Sequence, residues 1–158
     1  MTPIVMQEGH VSATKERINA NGGEYVLVAQ DTTYYNYSGQ QAMTGLGKIQ
    51  GNIKGIMQHN LLALSETGIP LGLLGQEYWS RESSHPYQGE KESEKWGKGL
   101  AIVNRELGGT EKKAVLRQDR EADIFAFFQA ERAPGVELLV RVHEARKLAV
   151  LHSGEVAK

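Results

Sequence analysis

Two aspartates are the residues of this chain best placed to do chemistry. Asp119 opens Asp119-Arg120-Glu121-Ala122-Asp123, with two residues between it and the apolar run Ala114-Val115-Leu116. Asp31 stands in Gln30-Asp31-Thr32-Thr33, directly after Tyr25-Val26-Leu27-Val28-Ala29. A short apolar run that ends on an acid reads as a buried strand delivering a carboxylate to the end of a sheet. Carboxylates brought together there are hard oxygen ligands suited to magnesium or manganese. Metals held in this way serve in-line displacement at phosphorus. The plainer reading stays open for each acid taken singly. Asp31 could cap a turn before Thr32-Thr33, and Asp119 or Asp123 could start a helix.

The elements that must position these acids follow from pattern. His10 to Ala20 reads as a short amphipathic helix, closed by the turn cluster Asn19 to Gly23. Glu24 to Ala29 is a central strand. Ser38 to Gly55, with five glycines plus Lys48 and Lys54, reads as a long mobile loop. Ile56 to Ser65 and Pro70 to Trp79 form an antiparallel hairpin around Thr67-Gly68. Glu90 to Leu107 is the clearest helix, because Trp96, Leu100, Val103 and Leu107 fall on one face. Lys113 to Gln118 is a strand and Ala122 to Arg132 a helix, with Ile124, Phe125, Phe127 and Phe128 as core candidates. Val136 to Val142 is a fifth strand, and Leu148 to Leu151 begins a sixth.

This order predicts an α/β domain: a mixed five-stranded sheet with flanking helices, the first and fourth strands parallel neighbours. Asp31 and Asp119 then sit side by side at carboxyl ends, where ligands gather in open α/β sheets. Residues 1–22 form a lead-in helix and turn, 23–147 the core, and 148–158 a tail or the start of an insertion.

The chain has 158 residues, 40% hydrophobic and 23% charged, with a formal net charge of −1 and no cysteine. Thiolate metal sites and disulfides are thereby excluded, and a nucleic-acid partner would have to be held by local patches. No signal peptide or membrane span is visible, so a cytoplasmic protein is expected.

Four stretches resemble the bacterial insertion-sequence transposases of the DDE cut-and-paste class, in that family's order and across roughly residues 10 to 150. Gln30-Asp31-Thr32-Thr33, followed by Tyr37, resembles the first-aspartate motif. Gly72-Leu73-Leu74-Gly75-Gln76-Glu77-Tyr78-Trp79-Ser80-Arg81 resembles the Gly-Leu-Leu, Gln, Trp, Arg stretch. Lys91-Glu92-Ser93-Glu94-Lys95-Trp96 resembles the Lys-Glu-Ser-x-Lys-Trp helix, and Asp119 to Ile124 the second-aspartate motif. The resemblance implies a ribonuclease-H-like core, Mg²⁺ (or Mn²⁺) on Asp31 and Asp119, and transposon-end double-stranded DNA as substrate. It implies that Arg141 faces DNA. Arg120, Arg81, Trp79, Tyr37, Lys48 and Lys54 are further candidate DNA contacts.

The family's third ligand, a glutamate in a Tyr-x-x-Arg-x-x-x-Glu-x-x-x-x-x-x-Lys helix, has no counterpart. Glu137, Glu144 and Glu155 lack that context. The expectation is a catalytic-core fragment truncated before the final helix, inactive alone. The alternatives are a non-catalytic DNA-binding or regulatory protein that associates with full-length transposase, and a metal-dependent phosphohydrolase using Glu121 or Asp123. Arg117 also departs from the family. It could touch phosphate or lie at an exposed strand end.

Gly45-Leu46-Gly47-Lys48 is not a phosphate loop, since Ile49 follows the lysine. His59 reads as a packed strand residue, Trp96 as core, and Tyr34, Tyr35 and Tyr37 as half-buried rings or base-stacking platforms.

Overall fold

Val26 and Val28 alternate with less buried neighbours along the first strand, and the same alternation in Ala114 and Leu116 makes these two strands the middle of the sheet. The computed structural model describes residues 3–81, 92–143, 150–152 and 155–157. Along the chain come α1 (Pro3–Ala20), β1 (Tyr25–Asn36), β2 (Gly47–Gln50), β3 (Ile53–Leu64) and β4 (Pro70–Trp79). They are followed by α2 (Glu94–Leu107), β5 (Lys113–Gln118), a 3-10 turn (Arg120–Ala122) and α3 (Phe125–Phe128). Strands β6 (Val136–Val140), β7 (Val150–His152) and β8 (Glu155–Ala157) complete the order.

The protein is α/β, with a mixed six-stranded sheet. Its path runs β2-β3-β1-β5-β6, and β4 also pairs with β3. Strand β1 occupies one edge of β3 from Gly55 to Leu64. Strands β2 and β4 share the other edge, β2 alongside residues 53–55 and β4 alongside 57–64. The β1–β5 and β5–β6 pairings are parallel, as expected for the first strand and its crossover partner.

The sequence-based reading needs correction at four places. The glycine-rich stretch contains a strand, β2, so the sheet has six strands and not five. Strand β1 does not stop at Ala29 but continues to Asn36, because its polar half pairs with β3. The helix expected over Ala122 to Arg132 shrinks to the 3-10 turn and one turn of α3. Ile124 is extended, and the Asp123 carboxylate takes the backbone N–H of His143 at 2.9 Å, which draws the chain away from the helical path. Phe127 is therefore core while Phe125 is 68% exposed. Finally, α1 starts at Pro3, well before His10. Helix α2 begins at Glu94; residues 90 and 91 lie outside the described residues, as do 148 and 149 of the expected sixth strand.

One hydrophobic cluster joins Val26, Val28, Leu61, Ala63, Ala114 and Leu116 to Trp96, Leu100, Val103 and Leu107 of α2 and to Ile18 of α1. Both helices thus lie on one face of the sheet. Helix α1 also closes the edge of β4, where unpaired backbone groups would otherwise template association. His10 Nε2 accepts the Leu73 N–H at 2.9 Å, Gln7 donates to the Gln76 carbonyl at 3.3 Å, and Arg17 donates to the Leu71 carbonyl. Among the described residues no helix is long and apolar enough to cross a membrane.

The approach of α1 is close at Gly72, which has φ of 136° and whose ideal Cβ would lie 2.3 Å from Thr14 Oγ1. Gly72→Ala should therefore lower stability by more than about 1 kcal/mol in chemical denaturation. Gly39→Ala, where nothing lies within 4 Å, should change it far less.

Candidate functional site

The parallel ladder between β1 and β5 ends at the pair Ala29 and Arg117. Side chains alternate along a strand, so Asp31 and Asp119, two residues further on, share the face of Ala29 and Arg117. That face is opposite to the one covered by α1 and α2. Asp31 is held in β1 opposite Asn60 of β3. Asp119 leaves the sheet as the cap of the 3-10 turn, its Oδ1 accepting the Glu121 N–H at 3.2 Å. On the third parallel strand, the Arg141 N–H donates to the Gln118 carbonyl at 3.1 Å, carrying the ladder one residue past β6.

Asp31, Asp119 and Arg141 all line one crevice of about 560 Å³, together with Arg117, Gln30 and Gln118. Arg120 follows directly on the exposed turn. Two carboxylates at such a mouth fit a hard cation as two of its ligands, with water completing the shell.

Among the described residues there is no group of three His, Asp or Glu side chains able to hold a metal ion. Glu121 reaches the other way, to Lys95 Nζ of α2 at 2.8 Å, and Asp123 takes the His143 N–H. Glu121 and Asp123, the candidate third ligands of the phosphohydrolase alternative, thus each hold another partner. Glu137 pairs with Val115 within the β5–β6 ladder. Glu144 lies outside the described residues, and Glu155 stands in the β7–β8 hairpin.

The remaining sequence candidates form a second group. Lys48 and Lys54 are register partners across β2 and β3, and the Tyr37 N–H donates to the Lys54 carbonyl at 2.9 Å. Lys54 is six residues along β3 from Asn60, which puts this group roughly 20 Å from Asp31. Arg81 clasps the same corner. Its guanidinium binds both oxygens of Glu92, with Nη2 at 2.7 Å, and donates to the Ile49 carbonyl at 2.9 Å. The hydrogen bonds from Arg81 hold the Glu92 carboxyl below its ordinary range although burial opposes this. Trp79 pairs with buried Met57, and its indole N–H approaches Glu92 without completing a hydrogen bond.

Beneath the crevice lies a polar tier that the sequence pointed to only in part. His59 is packed in the sheet, as expected, with 0% exposure. Its Nδ1 meets Thr32 Oγ1 and its Nε2 meets Gln30 Oε1, both at 2.9 Å. His59 thus grips the residues on either side of Asp31. The Gln30 carbonyl oxygen can only accept, so Nε2 carries the proton and the Thr32 hydroxyl donates to Nδ1. The Trp96 ring stands edge-on to His59 at 5.0 Å. Gly99 of α2 leaves room for Gln30: a Cβ there would sit 2.3 Å from the Gln30 amide oxygen.

On the uncovered face a second chain of bonds runs from the Tyr35 hydroxyl through Gln58, Tyr78 and Gln76 to Asn60, the partner of Asp31. Tyr35 and Tyr37 stack at 6.3 Å, while Tyr34 is 46% exposed. No protein-family model matches the sequence.

Burial, with a smaller contribution from nearby Lys95, lowers the His59 pKa from 6.5 to about 4. The unfolded chain therefore binds more protons than the fold between these values, and stability must drop as pH falls through that window. Above about pH 6.5 the contribution is complete. Its expected size is on the order of 3 kcal/mol. Urea titrations from pH 7 to pH 4 should show this slope, and His59→Gln should flatten it relative to the parent. Gly99→Ala should destabilise the fold at every pH in the series, because it displaces Gln30.

Proposed function

We propose that this chain is part of the catalytic core of an insertion-sequence transposase of the DDE class, ribonuclease-H-like in fold. On this reading it binds Mg²⁺ or Mn²⁺ through Asp31 and Asp119 and engages double-stranded DNA at transposon ends. The observation that carries the proposal is the register of β1 on β5, which aligns two acids far apart in sequence at one crevice. The strand order β4-β3-β1-β5-β6, antiparallel in its first three members and parallel after them, is in keeping with such a core. So are the four sequence stretches, which come in the family's order.

In this role Asp31 and Asp119 hold the cation from two adjacent strands. A cation held there would supply charge stabilisation during attack at phosphorus. Thr32, His59 and Gln30 fix the backbone that carries Asp31, and the Glu121 N–H fixes the Asp119 carboxylate. Arg141 faces the DNA backbone from the third parallel strand. The second group, Lys48, Lys54 and Tyr37, offers a separate stretch of contact along the duplex, with Trp79 and Arg81 at its border, while Arg120 lies at the crevice beside Asp119.

With Glu121 and Asp123 engaged elsewhere, the pair lacks a third carboxylate among the described residues. This favours, as a second reading, a DNA-binding regulator that associates with full-length transposase and does not cut.

Mn²⁺ titration by calorimetry should show binding to the parent protein. Asp31→Asn and Asp119→Asn should each weaken it at least tenfold, about 1.4 kcal/mol. Unchanged affinity in both variants would remove the metal assignment. A gel shift with element-end DNA tests the shared premise: a retarded band supports both readings, strand nicking supports the core enzyme over the regulator, and no retardation overturns both.

A further inference from the structure

We infer that Arg117 is a phosphate-binding group of the crevice, gripping one phosphodiester together with Arg141 next to Asp31 and Asp119. This rests on the DNA-processing reading above and names the part of the ligand that the site holds. Arg117 sits on the middle parallel strand, paired with Ala29 on one side and Leu139 on the other. Alternation brings its side chain to the same face as Asp31 and Asp119, and Arg141, two residues past Leu139, joins it there.

Arg117 makes no ion pair or side-chain hydrogen bond to any described residue, nor do Arg141 and Asp31. By contrast Arg81 is paired with Glu92 and Arg105 with Glu106, while Arg17 and Arg132 donate to backbone carbonyls. Two guanidinium groups with their donors unspent, beside two acids that do not take them, fit a ligand which itself carries negative charge and a cation. A phosphodiester with its divalent ion has that composition.

Behind the crevice, on the covered face, Gln118 is 4% exposed with no partner for either amide atom, and Gln30 leaves its amide nitrogen unbonded. The inference rests on the uncovered face, where Arg117, Arg141, Asp31 and Asp119 line one crevice. Arginine suits the role because its planar fork binds two phosphate oxygens at once, which a lysine ammonium does not.

The test is fluorescence anisotropy with a labelled transposon-end duplex in Ca²⁺, which permits binding without cleavage, over a series of salt concentrations. Arg117→Gln should weaken binding about tenfold and reduce the slope of log affinity on log salt by about one. Arg117→Lys should restore the slope and only part of the affinity. Thermal midpoints check that both variants fold, as an exposed side chain should allow. If Arg117→Gln binds like the parent with the same slope while Arg141→Gln is weakened, the Arg117 assignment falls and the DNA reading stands. If the parent protein binds neither the duplex nor Mn²⁺, the DNA reading falls and this inference with it.

Discussion

Five parallel residue pairs between β1 and β5, from Tyr25 with Lys113 to Ala29 with Arg117, are the constraint on which the rest of the molecule depends. A parallel pairing cannot be closed by a tight turn; the chain must leave the sheet and return. Here it does so through the β3–β4 ribbon and α2, whose apolar stripe lies over the buried side of the same two strands. A slip of one residue in this ladder would send every side chain to the opposite face. It would bury Asp31 under α2 and turn Gln30 out to the crevice. The burial of Val26, Val28, Ala114 and Leu116 at 1% exposure or less opposes that slip. Each of the two valines and Leu116 returned to water costs on the order of 2 kcal/mol, and Ala114 less. Hydrophobic packing on one face therefore sets the position of the acids on the other.

The two faces of the sheet divide the labour. The covered face holds the core and, at its carboxyl end, the polar tier of Gln30, Thr32 and His59. A buried imidazole with both nitrogens bonded is costly to disturb, since each lost partner leaves an unsatisfied group away from water. That cost is what makes the backbone on either side of Asp31 stiff. Lys95 links this tier to the turn after β5 through Glu121, so α2 ties together the segments that bear both acids. The uncovered face carries Asp31, Asp119, Arg117 and Arg141, and further along it the bonded Tyr35, Gln58, Tyr78 and Gln76. At the edge of β4, α1 closes the sheet with side chains in place of another strand.

Much of this was legible from residues alone. The spacing of Trp96, Leu100, Val103 and Leu107 marks α2, and the turn at Thr67-Gly68 marks the hairpin. Two apolar runs ending on acids marked the pair at the crevice. The extension of β1 was hidden because the apolar run stops at Ala29 and Asp31 reads as a strand end or cap, although Thr32-Thr33-Tyr34 favours a strand. Only cross-strand pairing with β3 makes it a strand. Gly47 to Gln50 looks like a loop for a similar reason, since its pairing with β3 is a tertiary fact. Ile124, Phe125, Phe127 and Phe128 suggest the core side of a helix, yet Ile124 is extended and the helix makes a single turn, with Phe127 alone fully buried. Arg81 stands among the residues of a family-like stretch, but its bidentate grip on Glu92 emerges only when the two segments meet. The environment of Arg117 depends on both of its neighbouring strands, and no local pattern reports it.

The central claim is that the register of β1 on β5 brings Asp31 and Asp119 together. The chain contains no cysteine, so a pair of introduced thiols reports on this directly. Neighbouring positions of a sheet lie about 5 Å apart, within the Cα separations a disulfide spans. In the double variant Asp31→Cys, Asp119→Cys, mild oxidation of the folded monomer should form an intramolecular disulfide, seen as a shift in non-reducing electrophoresis and loss of free thiol. Two thiols that stay free in the folded, oxidised monomer would contradict the register and the shared site built on it.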